Sequence, residues 1–237
     1  MGSFEFSLGE IVIYFLMGVF SYSIFGLAAF LAKKGAPHWI PRKTVHTLGM
    51  TIIAIYSVIV QDTGAILFIG GVVVTIALGL NMTRLNFIEW MAKATARENE
   101  HWTETVGNLV ITTLTLFSLY FYNKFNSPLF PSIYLTAILS LAWGDGLAEL
   151  VGRKFGRIKY RILGDKTLEG SLTVFLVTFI LGFFSFWAFN EITSHVLLAL
   201  LLASMVASLV EAVAIRVFDN LLIPLSVQLT LWYLLIS

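Results

Sequence analysis

The feature that most constrains this chain is its division into apolar runs of spanning length, joined by connections that alternate in charge. Eight such runs lie at about 8–32, 44–60, 64–80, 104–122, 132–151, 170–189, 194–214 and 219–236. Each is near the ~20 residues that a helix needs to cross a bilayer. Connections 61–63, 123–131 and 190–193 are short and nearly free of bases, whereas 33–43, 81–103 and 152–169 are basic. Placing the basic three on one side, with the turn 215–218, gathers 14 of the 15 Lys and Arg residues there and leaves only Lys124 opposite. The positive-inside rule puts that side in the cytoplasm and both termini outside. The expected fold class is all-α, a polytopic integral membrane protein of about 8 transmembrane helices forming one transmembrane domain over 1–237.

Composition supports this reading. Hydrophobic residues make up 58% of the chain and charged residues 12%, with a mean hydropathy of +0.87. Soluble domains carry roughly 25% charge, so this chain could not cover a soluble surface. It has no cysteine, which excludes disulfides, thiolate metal sites and a cysteine nucleophile. Phe183, Phe184, Phe186 and Trp187 form an aromatic run near an outer membrane edge, as an interfacial belt would.

Residues 143–171, WGDGLAELVGRKFGRIKYRILGDKTLEGS, carry the chemistry. Asp145 and Glu149 are four apart and share one helix face, about 6 Å apart along the axis. They fall in the cytoplasmic third of their helix, where two like charges are expensive without a compensating cation or base. Mg²⁺ suits one or two carboxylates with waters and substrate phosphates. Gly144 and Gly146 flank Asp145 and let a phosphate or backbone approach. From Arg153 to Lys166 there are six bases in fourteen residues, interleaved with Gly152, Gly156 and Gly164. Those glycines allow unusual backbone angles and open amides to an anion. Asp165, Lys166, Thr167 and Glu169 precede Gly170 and Ser171 at a helix start, and helix starts attract phosphate. Acids that can hold a metal beside bases that can hold phosphates, at a membrane edge, point to phosphoryl or nucleotidyl transfer to a lipid. The plainer alternative is an interfacial charge cluster touching anionic headgroups. Glu211, inside an apolar helix, is a functional candidate by default, or else a partner for Arg216 or a neighbouring helix. His46 follows Arg42 by four residues on one face and could contact phosphate, take a proton or cap an interface. Glu104 and Asn108 share a face and could line the cleft.

GDGLAELVGRKFG followed by GDKTLEGSL resembles the signature of the polyprenol kinase family. That family includes dolichol kinase, phytol kinase and the CTP-dependent diacylglycerol kinases, and is distantly similar to phosphatidate cytidylyltransferases. PRKTVHTLG at 41–49 resembles its R-K-x-x-H element, and LVEAVAIRVFDNLLIPL at 209–225 its C-terminal V-E-A…D-N-L-x-I-P element. Between Glu211 and Asp219 this chain carries AVAIRVF, where many members have Ser-Pro-Gly-like residues. The His-Gly-Gly and Asp-Arg-x-Asp elements of the cytidylyltransferases are not present in full.

The resemblance implies a kinase that phosphorylates a long-chain isoprenoid alcohol with CTP, with ATP or another nucleoside triphosphate as the alternative donor, and with Mg²⁺. Asp145 and Glu149, completed by Asp219, would hold the metal. Arg153, Lys154 and Lys166 would neutralise the triphosphate. Arg42, Lys43, Gly144, Gly146, Gly164, Asp165, Thr167, Glu169, Gly170, Ser171, Glu211 and Asn220 complete the nucleotide-binding set. Lys166 and His46 stand with the two carboxylates as the catalytic group. The partners are the nucleotide, the alcohol and the bilayer, not nucleic acid. The oligomeric state is not legible. The expected location is a prokaryotic plasma membrane, with the site facing the cytoplasm. Two alternatives remain: a cytidylyltransferase making a CDP-lipid, and an ion-coupled transporter. The outer halves of the helices carry almost no ionisable groups, which argues against the transporter.

Overall fold

The structure, a computed structural model, describes residues 8–60, 102–162, 165–214 and 218–237. The apolar run 64–80, residues 81–101 of the basic connection 81–103, Gly164 and Arg216 lie outside the described residues, as do the side chains of Glu104 and Asn108.

The described chain is almost entirely helical. Helix α1 is Leu8–Lys33 and α2 is Trp39–Val60. Helix α3 is Trp102–Asn126, and α4 is Phe130–Leu139. A π-helical segment, Ser140–Asp145, leads directly into α5, Gly146–Phe155. Strands β1, Lys159–Arg161, and β2, Asp165–Thr167, form an antiparallel hairpin. Helices α6, Leu168–Ala188, α7, Ser194–Val213, and α8, Asp219–Leu235, complete the chain.

Local sequence sets the boundaries. Helix α1 stops at Gly35, whose φ of 80° suits glycine. Gly35 N donates to Ala32 O and Ala36 N to Leu31 O, the paired bonds of a Schellman stop. Helix α2 starts before the expected 44 because Pro41 fits a first turn. Thr167 and Thr193 cap α6 and α7, accepting from Gly170 N and Val196 N.

Among the described residues, four stretches are long and apolar enough to cross a membrane: Phe15–Lys33, Phe130–Phe155, Leu168–Ala188 and Ser194–Val213. This agrees with an all-α membrane protein. On α6, Leu172, Leu176, Ile180, Phe184 and Trp187 are all exposed. They recur at helical spacing as one apolar stripe, which water would not tolerate and lipid would. The expected aromatic belt is split, because Phe186 points into the core while Phe184 and Trp187 face out.

Two differences from the sequence reading position the site. The run 132–151 is not one regular helix but α4, the π segment and α5. Of residues 152–169, read as a loop, the described ones include the end of α5, strands β1 and β2, and the first residues of α6. The interior divides into two clusters. Tyr120, Phe130 and Tyr134 pack edge-on or tilted in one. In the other, Ala199, Ala203 and Ala207 form a small-residue stripe on α7, which permits close helix approach.

Candidate active site

The site begins where α2 meets the π segment. The Thr47 hydroxyl donates to Ala142 O at 2.9 Å, and Trp143 Nε1 donates to Thr51 Oγ1 at 2.9 Å. A Cβ on Gly146 would come 2.5 Å from Thr47 Oγ1. The glycine therefore admits a side chain of α2 rather than a ligand. These contacts hold the first turn of α5 against the basic face of α2. π turns inside α-helices are frequent at functional sites.

That clamp brings together residues 99 to 107 positions apart. Lys43 Nζ lies 2.5 Å from Asp145 Oδ2, 3.2 Å from Glu149 Oε2 and 3.3 Å from Asp145 O. Arg42 Nη2 is 2.8 Å from Glu149 Oε2, and Arg153 Nη2 is 2.9 Å from Glu149 Oε1. His46 Nε2 is 3.9 Å from Asp145 Oδ2. The Arg153 guanidinium also lies over the Trp39 ring, 5.4 Å from its centroid. Arg42, Lys43 and His46 thus lie beside Asp145 and Glu149.

The second half of the site is the hairpin. Its register pairs Tyr160 with Lys166, so both face one side. Lys166 Nζ lies 2.5 Å from Glu211 Oε1. Ser171 Oγ donates to Glu211 Oε2 at 2.8 Å and is 2.5 Å from Tyr160 OH. The buried Glu211 carboxylate is therefore satisfied by Lys166 and Ser171. Burial, the largest single influence, pushes the Lys166 ammonium down, but the charge and hydrogen bond of Glu211 together with the charges of Asp145 and Asp219 outweigh it. The result is a pKa above the ordinary lysine value. Lys166 thus feels both Asp145 and Asp219 at the start of α8, linking the two halves electrostatically.

Several assignments need correction. The glycines of 152–156 do not supply unusual backbone angles; Gly35 alone among the described glycines has a positive φ. A Cβ on Gly156 would meet Gly152 O at 2.2 Å and Thr167 Cγ2 at 2.6 Å. Close packing of the hairpin on α5 is what requires glycine there. Nor are all the turn amides open. Glu169 accepts from Arg157 N at 2.9 Å and Ile158 N at 3.3 Å, while Thr167 Oγ1 takes Gly170 N at 3.1 Å. Glu169 and Thr167 thus serve the backbone. Asp165 faces Arg161 at 3.7 Å, both well exposed. Lys154 is exposed over the Phe155 ring.

Asp219 and Asn220 are buried at the start of α8, where Asn220 Nδ2 donates to Thr112 Oγ1 at 3.1 Å. Among the described residues no group of three or more His, Asp or Glu side chains is placed to hold a metal, so Asp219 does not complete a triad with Asp145 and Glu149. The two-acid set still fits Mg²⁺. Lys43 Nζ is a cation already held by two carboxylates and a carbonyl. Hard oxygens converging on one point, with substrate phosphates completing the shell, are what Mg²⁺ uses. Sequence reasoning missed Tyr160, Thr47 and Trp39. Thr47 stood inside the quoted PRKTVHTLG, and Tyr160 was the one tyrosine of the segment 143–171.

No family model and no solved structure matches the chain. Curated relatives do. A phytol kinase of Synechocystis sp. is 36% identical over 107 residues, 44% of each chain. A probable chloroplastic phytol kinase 2 of Oryza sativa is 28% identical over 213 residues, 83% of this chain and 66% of its own length. The chloroplastic farnesol kinase of Arabidopsis thaliana is 24% identical over 236 residues, 92% of this chain and 73% of its own. The chain thus spans less than two thirds of the length of the first two. The curated homologues of this chain are phytol kinases and a farnesol kinase, consistent with the polyprenol/phytol kinase family.

Proposed function

We propose that this protein is a membrane-embedded phosphotransferase that phosphorylates an isoprenoid alcohol such as phytol, geranylgeraniol or a longer polyprenol, with CTP as donor. The observation that carries the reading is the convergence of Arg42, Lys43, Arg153 and Lys166 on Asp145, Glu149 and Glu211. It lies where the apolar stretch Phe130–Phe155 ends and Leu168–Ala188 begins. The names of the relatives support it.

In this reading the alcohol enters between helices with its tail in lipid. Its oxygen attacks the γ-phosphorus, a new P–O bond forms, and the bond to the bridging oxygen breaks to release CDP. His46 takes the alcohol proton. Lys166 and Arg153 neutralise the phosphate oxygens. Positioning and charge stabilisation supply most of the effect in such transfers. Asp145 and Glu149 hold Mg²⁺, which when bound neutralises charge on the phosphates. The site faces the cytoplasm, where nucleotides are.

The test is label transfer. γ-Labelled CTP with purified protein and the alcohols should give labelled lipid monophosphate and unlabelled CDP. Label reaching lipid only from the α-position, with pyrophosphate released and a phospholipid as acceptor, would make the protein a cytidylyltransferase.

A further inference from the structure

Lys43 stands out among the bases of the site. Its side chain is 9% exposed. An ammonium has three donors, and the three contacts of Nζ all go to oxygens of one helical stretch: Asp145 Oδ2, Asp145 O and Glu149 Oε2. Arg42 and Arg153 differ, because each binds Glu149 from the side and leaves the point between the two carboxylates alone. Lys43 occupies that point. A divalent ion bound by both acids would need the same place.

We propose that Lys43 is a resident stand-in cation, displaced when a divalent metal arrives with a triphosphate and then transferred to the phosphate oxygens. This rests on the reading of the site as one for a metal and a triphosphate. Two like carboxylates at this depth need a cation at all times, and Lys43 supplies it in the resting state. Displacement by metal alone leaves a buried ammonium without an acceptor, which is costly. Displacement by metal with triphosphate gives it one. The resting pair thus lowers apparent affinity for the bare metal, as any competing state does, and couples metal to nucleotide. Transfer is short, because Lys43 shares its helix end with Arg42 and His46, all facing Asp145 and Glu149.

The experiment uses the purified full chain in detergent. Mn²⁺ binding without nucleotide is read by the paramagnetic resonance signal of the free ion, and CTP binding by calorimetry with and without Mg²⁺. Lys43→Met should bind bare Mn²⁺ at least about tenfold more tightly than the parent. It should bind CTP with Mg²⁺ about tenfold more weakly, and CTP without metal as the parent does. A second readout needs no variant. Amine acylation followed by mass spectrometry should find Lys43 protected in the resting chain and several-fold more reactive with Mn²⁺ alone. If Lys43→Met leaves bare-Mn²⁺ affinity unchanged, or weakens CTP equally with and without metal, Lys43 is a fixed strut or an ordinary phosphate ligand. The proposal then falls while the function stands. If the parent binds no Mn²⁺ even with CTP, both fall.

Discussion

Lys166 and Glu211 are 45 residues apart in the chain, and Lys166 Nζ is 2.5 Å from Glu211 Oε1. This pair ties the short hairpin to the C-terminal end of α7. Removing one member of such a pair leaves the other charge uncompensated, at a cost of about 3–5 kcal/mol, whereas an apolar replacement of both is often tolerated. Glu211→Ala should therefore lower thermal stability in detergent more than the double change Lys166→Met with Glu211→Leu. Purely additive losses would show that the two residues are not coupled.

The same pair sets a pH dependence. The folded-state pKa of Lys166 is raised above the ordinary lysine value of 10.5. Its contribution is therefore complete below about 10.5 and is lost as pH rises through the folded value. Thermal midpoints should stay level from pH 8 to about 10 and fall above that. Lys166→Arg, whose guanidinium does not titrate in this range, should extend the plateau. A decline already under way at pH 8 would assign the effect to another group.

Asp145→Asn should leave the protein folded and membrane-inserted but lower turnover by at least about a hundredfold, since charge stabilisation of several kcal/mol would go. Activity should require a divalent cation. Full activity in chelator, or near-normal turnover of the variant, would make Asp145 a structural residue.

Gly146→Ala should destabilise the junction of α2 and α5 by about 1–3 kcal/mol through overpacking, because its Cβ would sit 2.5 Å from Thr47 Oγ1. Adding Thr47→Ala should recover most of that loss, since the next Thr47 atom is 3.7 Å away. A double variant no better than Gly146→Ala would move the strain elsewhere.

The orientation is open to labelling, because the chain has no cysteine. Asn126→Cys, at the exposed end of α3, should react from outside intact cells. Ile158→Cys, exposed beside the hairpin, should react only from the cytoplasm. Reversed labelling, or both positions on one side, would refute the charge-derived topology.

The helices were readable because spanning length and apolar composition are local properties. Most observed ends fall within a few residues of the marked runs. The carboxylate pair was readable from its spacing, and Glu211 from its burial in an apolar run. The partners were not. Arg42 meets Glu149 across 107 residues, and no local pattern states that distance. The hairpin escaped because KYR and DKT show no apolar alternation, so only their pairing makes them strands. The glycines were misread for a related reason. Composition shows where a side chain is missing but not what fills the gap, which here is Thr47 or Thr167.

The π-helical segment Ser140–Asp145 has a geometric consequence. A helix of regular pitch fixes the compass bearing of its later turns by residue count alone. A wider turn absorbs about one extra residue and resets that bearing. Winding these same residues as a regular α-helix would then act as a rotation of everything that follows. The side chains from Asp145 to Phe155 would swing by about 100° while shifting only about 1.5 Å along the axis. The carboxylates would turn away from α2, and the chain would keep its length, its apolar stretches and its charges while losing the encounter between them.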